Sequence, residues 1–413
     1  MLLIKLDRLL YYLLCAYAML VPLELVLEVF GQIDTIFKPY RVVSLLLIGG
    51  FGVKLLQADK LSLRSISWAD ACLYLMFLYG LLVSFYNMVV AEFSLGKFYN
   101  EIFQTGLYVA AFFIAKQLAL SEQQLRQIAR FLLLGVLFNV LYTNELGGLM
   151  LHSSRQSGFF DNPNYLSLAA IYGISYLLVF LVEGRLLRRL LLLTLLVPTA
   201  STFLLAGSRA GIAVLLLSML LILAFQTWRM RGVIIGAALL AAAVYAVGLS
   251  PQVSVVADSV LVRRLENRSG EEDPRFPIWE GVWRASQETH FVGMGLGQFE
   301  ARFPEFYRGE YHRVIYEVLN YGYHLSPHSD YFSVLITFGL PGLVLFLVFF
   351  LGSARGALFR LLETTEPAGR RLFLLQLACV LMVCVFGLAA ENFVSGLYWM
   401  LLTIGTYEVK TPS

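Results

Sequence analysis

Charge is scarce in this chain. Only 14% of its 413 residues are Asp, Glu, Lys or Arg, where soluble domains carry roughly 25%. Hydrophobic residues make up 59%. That balance excludes a set of soluble domains and describes a polytopic membrane protein. The net charge of +3 is small and points to no acidic partner; nucleic acid is not expected among the ligands. Cysteine is scarce too. Cys15, Cys72, Cys379 and Cys384 all fall inside apolar runs, without the spacing of a disulfide or a metal site, and read as small core hydrophobes. No small-residue cleavage site follows the apolar start at 9–21, so this stretch reads as a retained first span and not a signal peptide. The histidines lack the two-His-plus-carboxylate spacing of a metal centre. Gly293-Met294-Gly295-Leu296-Gly297 does not follow a strand, which excludes a dinucleotide loop and leaves a turn between two loop helices. No repeat, low-complexity stretch or soluble domain is evident.

What the chain does have is apolar runs of about 20 residues, the length that spans a membrane. They predict an all-α protein of about 12 transmembrane helices, at roughly 9–30, 41–57, 69–90, 102–120, 127–143, 165–183, 188–206, 210–226, 231–249, 328–351, 372–390 and 392–408. Residues 1–249 then hold helices 1 to 9, residues 250–327 form a large helical loop, and residues 328–413 hold helices 10 to 12. Helical stretches are expected in the loop near 278–289 and 297–317.

Basic residues set the orientation. Clusters such as Arg185-Arg188-Arg189 and Arg370-Arg371 fall on one side of the membrane. The short segments of the other side hold only Lys38, Arg41, Lys97, Arg155 and Arg209. The positive-inside rule places both termini in the cytoplasm and the large loop outside. A loop of that length in a compact protein is usually functional.

Three side chains stand out on the outer face. His328 and Ser329 sit where the long polar segment ends and an apolar run begins. An imidazole at the mouth of a membrane helix is costly to place and suited to proton transfer near neutral pH; the plainer reading is a structural histidine bonded to Asp330 or a backbone carbonyl. Arg209, within Gly207-Ser208-Arg209-Ala210-Gly211, reads either as an arginine snorkelling to headgroups or as an anion site with small neighbours. Arg275 precedes a helix and is flanked by Pro274 and Pro277. It reads as a loop charge paired with Glu271, Glu272 or Asp273, or as a phosphate ligand at a helix N-terminus. His324 is close enough to His328 to be mistaken for it.

Taken in order, these pieces resemble the O-antigen ligase and O-antigen polymerase family of bacterial inner membranes. The resemblance rests on Asn162-Pro163-Asn164, Ser208-Arg209, Arg275 with Trp279, the Gly293–Phe299 turn, and His328-Ser329 followed by Gly339 and Gly342. Nine residues, 330 to 338, separate Ser329 from Gly339, as in the ligases. The resemblance implies a GT-C-like fold and glycan transfer on the periplasmic face. The donor would be an undecaprenyl-pyrophosphate-linked O-antigen, and the acceptor a hydroxyl of lipid A–core oligosaccharide, with membrane lipid as surroundings. It implies His328, Arg275 and Arg209 as catalytic residues. It implies Arg209, Arg275, Ser208, Asn162, Asn164 and Ser329 as substrate-binding residues, with no metal and no cofactor. Two fixed arginines can stabilise charge developing on a pyrophosphate leaving group, and a neutral imidazole can take the acceptor proton. In-line attack would invert the anomeric centre. A polymerase using the same donor remains the nearest alternative. A transporter would keep its ionisable groups near mid-membrane, whereas these lie at span ends.

Overall fold

The structure, a computed structural model, describes residues 2–25, 38–57, 64, 66–90, 93–147, 156–160, 162–181, 186–226, 231–232, 235–236, 275–306, 327–391, 393 and 395–409. Regular structure among them is entirely helical. In chain order the helices are α1 (Leu2–Leu20, continued by a 3-10 turn Val21–Leu23), α2 (Pro39–Leu56), α3 (Trp68–Val90), α4 (Leu95–Gln117), α5 (Glu122–Gly147), α6 (Pro163–Phe180), α7 (Leu186–Ala206) and α8 (Arg209–Phe225). There follow α9 (Arg275–Glu288), α10 (Gln298–Phe306), α11 (Asp330–Glu363), α12 (Pro367–Phe386) and α13 (Gly396–Thr406).

Eight of these helices are long and apolar enough to cross a membrane: α1, α2, α3, α5, α6, α7, α11 and α12. The protein is therefore an all-α polytopic membrane protein. The expected count of about 12 spans meets these eight plus two shorter apolar helices, α8 and α13. The expected fourth span is α4, which carries Lys97, Glu101 and Lys116 along its length. The expected ninth, 231–249, lies almost wholly outside the described residues, as do 250–274 and 307–326 with His324.

The two expected loop helices are α9 and α10. The turn between them holds Gly293, Gly295 and Gly297, all at positive φ. Ile278, Val282 and Ala285 recur on one face of α9 and close over Phe299, Phe303 and Phe306 of α10. Ile336 of α11 completes that small core. At the centre of the larger bundle is α6, buried at every residue from Tyr165 to Phe180 and packed by α5, α7, α8 and α12. Exposed leucines on the outer helices, among them Leu78, Leu82, Leu187 and Leu220, form the surface that faces lipid.

Helix α11 is broken once. Gly339 has φ 65° and ψ −170°, and Pro341 follows two residues later. The break frees carbonyls that the turn after α9 uses: Met294 N donates to Ile336 O at 2.8 Å and Gly295 N to Thr337 O at 3.0 Å. In return Leu340 N donates to Phe291 O at 2.9 Å. Irregular backbone at such depth persists only where protein satisfies it. A Cβ on Gly339 would lie 2.3 Å from Phe291 O, so only glycine permits the approach. The Gly339–Gly342 motif is thus the socket that holds the α9–α10 unit on the bundle.

Beyond the break α11 runs further than its apolar run. Ser353, Ala357 and Leu361 keep a buried face at intervals of four, so the helix continues amphipathically to Glu363.

Candidate active site

His328 lies one residue before the N-cap of α11, is exposed, and has φ 54°. Non-glycine residues seldom adopt this left-handed conformation, which costs of order 1–2 kcal/mol. The residues that follow impose it. Ser329 Oγ donates to Gly387 O at 3.2 Å, and Asp330 N donates to the same carbonyl at 2.8 Å. Both residues are buried at the end of α12. A Cβ on Gly387 would meet Asp330 Oδ2 at 2.5 Å. This clasp leaves the imidazole outside while the chain on its C-terminal side is fixed.

The N-terminal side is fixed by α9. Trp279 Nε1 donates to Pro327 O at 2.8 Å, and its ring stacks on Phe332 at 5.2 Å between centroids. Arg275 is the first residue of α9, one turn before Trp279, and is half-buried. The structure therefore brings Arg275 and His328 to the same corner through a single tryptophan.

Arg209 begins α8 and is exposed. Ser208 caps that helix, its Oγ accepting from Gly211 N at 3.2 Å. Asn162 caps α6, its Oδ1 accepting from Asn164 N at 2.9 Å. The two caps are neighbours, because a Cβ on Gly211 would lie 2.3 Å from Ser167 Oγ in the second turn of α6. Each cap uses one acceptor. The hydroxyl proton of Ser208 and the amide protons of Asn162 are not consumed by it. Ser329 differs, since its proton is committed to Gly387.

A cleft of about 330 Å³ opens beside Pro327 and Ser333. Its walls carry Arg41, Glu101, Gln104, Glu300, Tyr165 and Glu391. Lys97 pairs with Glu300 at 2.9 Å, and Lys38 pairs with Glu24. Ser333 Oγ donates to Glu391 Oε1 at 2.9 Å, and Tyr165 Oη to Glu391 O at 2.8 Å. Glu391 lies in the connection between α12 and α13. Burial pushes its carboxyl up to about 8, against the bond from Ser333, and the carboxylates of Glu101, Asp330 and Glu300 push the same way.

Sequence reasoning missed this cleft. Its residues come from α2, α4, α6, α10, α11 and the connection after α12, and none forms a motif with a near neighbour. The available signal was acidic residues at the ends of apolar runs, Glu101 and Glu391, where burial of a carboxylate is costly.

No curated protein matches the chain. A family model described as O-antigen ligase matches residues 191–347. The match begins within α7, takes in Ser208, Arg209, Arg275, His328 and Ser329, and ends in α11 past Gly342, leaving Asn162 and Asn164 outside. Over residues 191–347 the chain is similar to the O-antigen ligase family.

Proposed function

We propose that this membrane protein, whose similarity to the O-antigen ligase family over residues 191–347 supports a ligase- or polymerase-type function in O-antigen biosynthesis, is an O-antigen ligase. It would transfer a glycan from undecaprenyl pyrophosphate to a hydroxyl of lipid A–core oligosaccharide. The reaction would run on the periplasmic face of the inner membrane, with both termini cytoplasmic and residues 250–327 as the external loop. His328 takes the proton of the acceptor hydroxyl as the new C–O bond forms. The glycosyl–pyrophosphate bond breaks on the opposite face, with inversion, and Arg275 and Arg209 take up the charge on the leaving pyrophosphate. Asn162 and Ser208 offer donors to the same anion from adjoining helix N-termini, Asn164 extends that wall, and Ser329 holds the base and can only accept from a substrate.

The observation that carries this reading is the Trp279 bridge. It ties the helix headed by Arg275 to the carbonyl next to His328, so an anion ligand and a base share one rigid corner. The adjoining cleft, with carboxylates, an amide and a tyrosine, suits a polyol acceptor. Two guanidiniums supply the positive charge that a divalent ion would otherwise bring, so the transfer is proposed to need no metal.

The test is transfer by purified protein in nanodiscs, from undecaprenyl-pyrophosphate glycan to lipid A–core, in excess EDTA. The expected result is one glycan chain joined to core at an undiminished rate. Extension of the lipid-linked glycan with no transfer to core would make the protein a polymerase, and activity restored only by magnesium would remove the two-arginine mechanism.

A further inference from the structure

At the end of α11 remote from His328 the last turns of that helix face the first turn of α3. A pocket of about 300 Å³ lies between them. Trp68, Gly352, Ser353, Arg355, Arg360 and Glu408 are among its walls. Past the Gly339 break, α11 from residue 340 to residue 360 rises about 30 Å, roughly the thickness of a bilayer's hydrocarbon core. The pocket therefore sits at the headgroup layer opposite the candidate active site and has no part in that chemistry.

Two polar atoms here lack what buried polar atoms normally have. Ser353 is 7% exposed, and among the described residues its Oγ has no hydrogen-bond partner. Nε of Arg360 is buried and equally without one. Unsatisfied groups of this kind are few in native proteins and call for a reason. Among the described residues the charges around them are not balanced. Below the pocket Lys116 and Asp70 neutralise each other at 3.0 Å. Arg64 is engaged by Tyr407 Oη and Glu408 O. Among the walls that leaves Arg355 and Arg360 against the single carboxylate of Glu408, which is exposed. Both guanidiniums lie over rings, Arg355 over Phe359 at 5.3 Å and Arg360 over Phe373 at 5.9 Å. A stacked guanidinium keeps its edge N–H groups for a planar acceptor.

We propose that this pocket binds the phosphate headgroup of an anionic membrane phospholipid. A phosphodiester has the acceptor oxygens that Ser353 Oγ and Arg360 Nε lack, and its charge matches the cationic excess. A lipid source fits the rim. Trp68 and Phe359 of its walls are 58% and 48% exposed, giving acyl chains an apolar surface and the headgroup layer an interfacial tryptophan. The wall opposite Ser353 is the start of α3, where Ser67 accepts from Asp70 N at 3.1 Å and from Ala71 N at 2.9 Å. Gly352 keeps the two helices close, since a Cβ there would meet the Trp68 ring at 2.5 Å.

The experiment uses the full chain purified in mild detergent. Phosphatidylglycerol, phosphatidylcholine and inorganic phosphate are the three probes, read by native mass spectrometry and by thermal unfolding. The wild type should retain phosphatidylglycerol over phosphatidylcholine and melt a few degrees higher with it. Inorganic phosphate should do much less. Arg355→Gln/Arg360→Gln should weaken retention by about tenfold or more, the size of one charge-assisted hydrogen bond. Ser353→Val, which fills the pocket without touching charge, should do the same. If the double variant does not accumulate, Arg355→Gln alone decides, because its side chain is exposed and its loss should lower retention. Equal retention by wild type and variants would overturn the pocket. A full thermal shift from inorganic phosphate, with nothing added by the lipid, would overturn the lipid as its ligand.

Discussion

The two ends of α11 solve opposite problems. At the His328 end the backbone is irregular and its freed carbonyls are tied. Pro327 O goes to Trp279, Gly387 O takes both Ser329 and Asp330, and the carbonyls freed at the Gly339 break go to Met294 and Gly295. At the Arg360 end the backbone is regular helix, yet Ser353 Oγ and Arg360 Nε are buried without partners among the described residues. A corner whose freed backbone groups are bonded can hold one exposed side chain in a costly conformation, as the proposed base requires. A corner with hydrogen bonds left over is built to be completed by something else.

The sharpest test of the saturated end is His328→Ala. Transfer should fall roughly 10²–10⁴-fold, as for loss of a general base, with insertion and accumulation unchanged. His324→Ala, a change outside the described residues, should be far milder. Near-normal transfer by His328→Ala would remove the base, and with it the reason for the clasp.

Gly339→Ala comes next. The added methyl meets Phe291 O and Val292 O and must adopt a left-handed conformation. The α9–α10 unit should lose its socket, costing several kcal/mol as a conflict of strain and packing. The reading is protease sensitivity of the 291–306 stretch. Resistance equal to wild type would mean that the break in α11 does not hold this unit.

Trp279→Phe keeps the stack on Phe332 and deletes the bond to Pro327 O. One neutral hydrogen bond contributes about 0.5–1.5 kcal/mol, so transfer should drop about 2–10-fold in kcat with KM for the donor little changed. A loss confined to KM would mean that α9 serves binding alone and does not position His328.

The last test concerns Glu391 and reads stability, not transfer. Its folded-state value near 8 lies above the roughly 4.3 of an unfolded glutamate. Between those values the folded protein holds a proton that the unfolded chain does not. Stability therefore falls as pH rises through this window. Glu391→Gln should match wild type in melting temperature near pH 4 and exceed it near pH 8.5. Parallel pH profiles for the two proteins would show the carboxyl to be ionised throughout, and the cleft to be more open to water than Ser333 and Tyr165 imply.

Much of this was legible from the chain because membrane helices announce themselves by length. The apolar runs gave the positions of most helices, and α9 was placed to within about three residues, the usual uncertainty of element boundaries. Where reading failed, a physical reason is at hand. Apolar counting stops at the first charge, so it ended α11 at residue 351, although the buried face of Ser353, Ala357 and Leu361 carries the helix to Glu363. It extended the last span back to residue 392, although Trp399 Nε1 bonds Phe393 O at 2.8 Å and holds that turn out of helix α13.

The site divides the same way. Arg209, Arg275 and His328 could be picked out by sequence alone, since a charged or titratable group at the end of an apolar run is costly and therefore noticeable. Their chemical context could not. That Ser329 donates to Gly387 and so anchors His328, that Trp279 joins α9 to Pro327, and that Glu391 faces Glu101 across a cleft are pairings between residues 48 to 290 positions apart. Local composition determines which segments enter the membrane, because each segment makes its own bargain with lipid. Which polar atoms are satisfied, and which are left for a ligand, depends on helix packing, and that is decided only when the whole bundle closes.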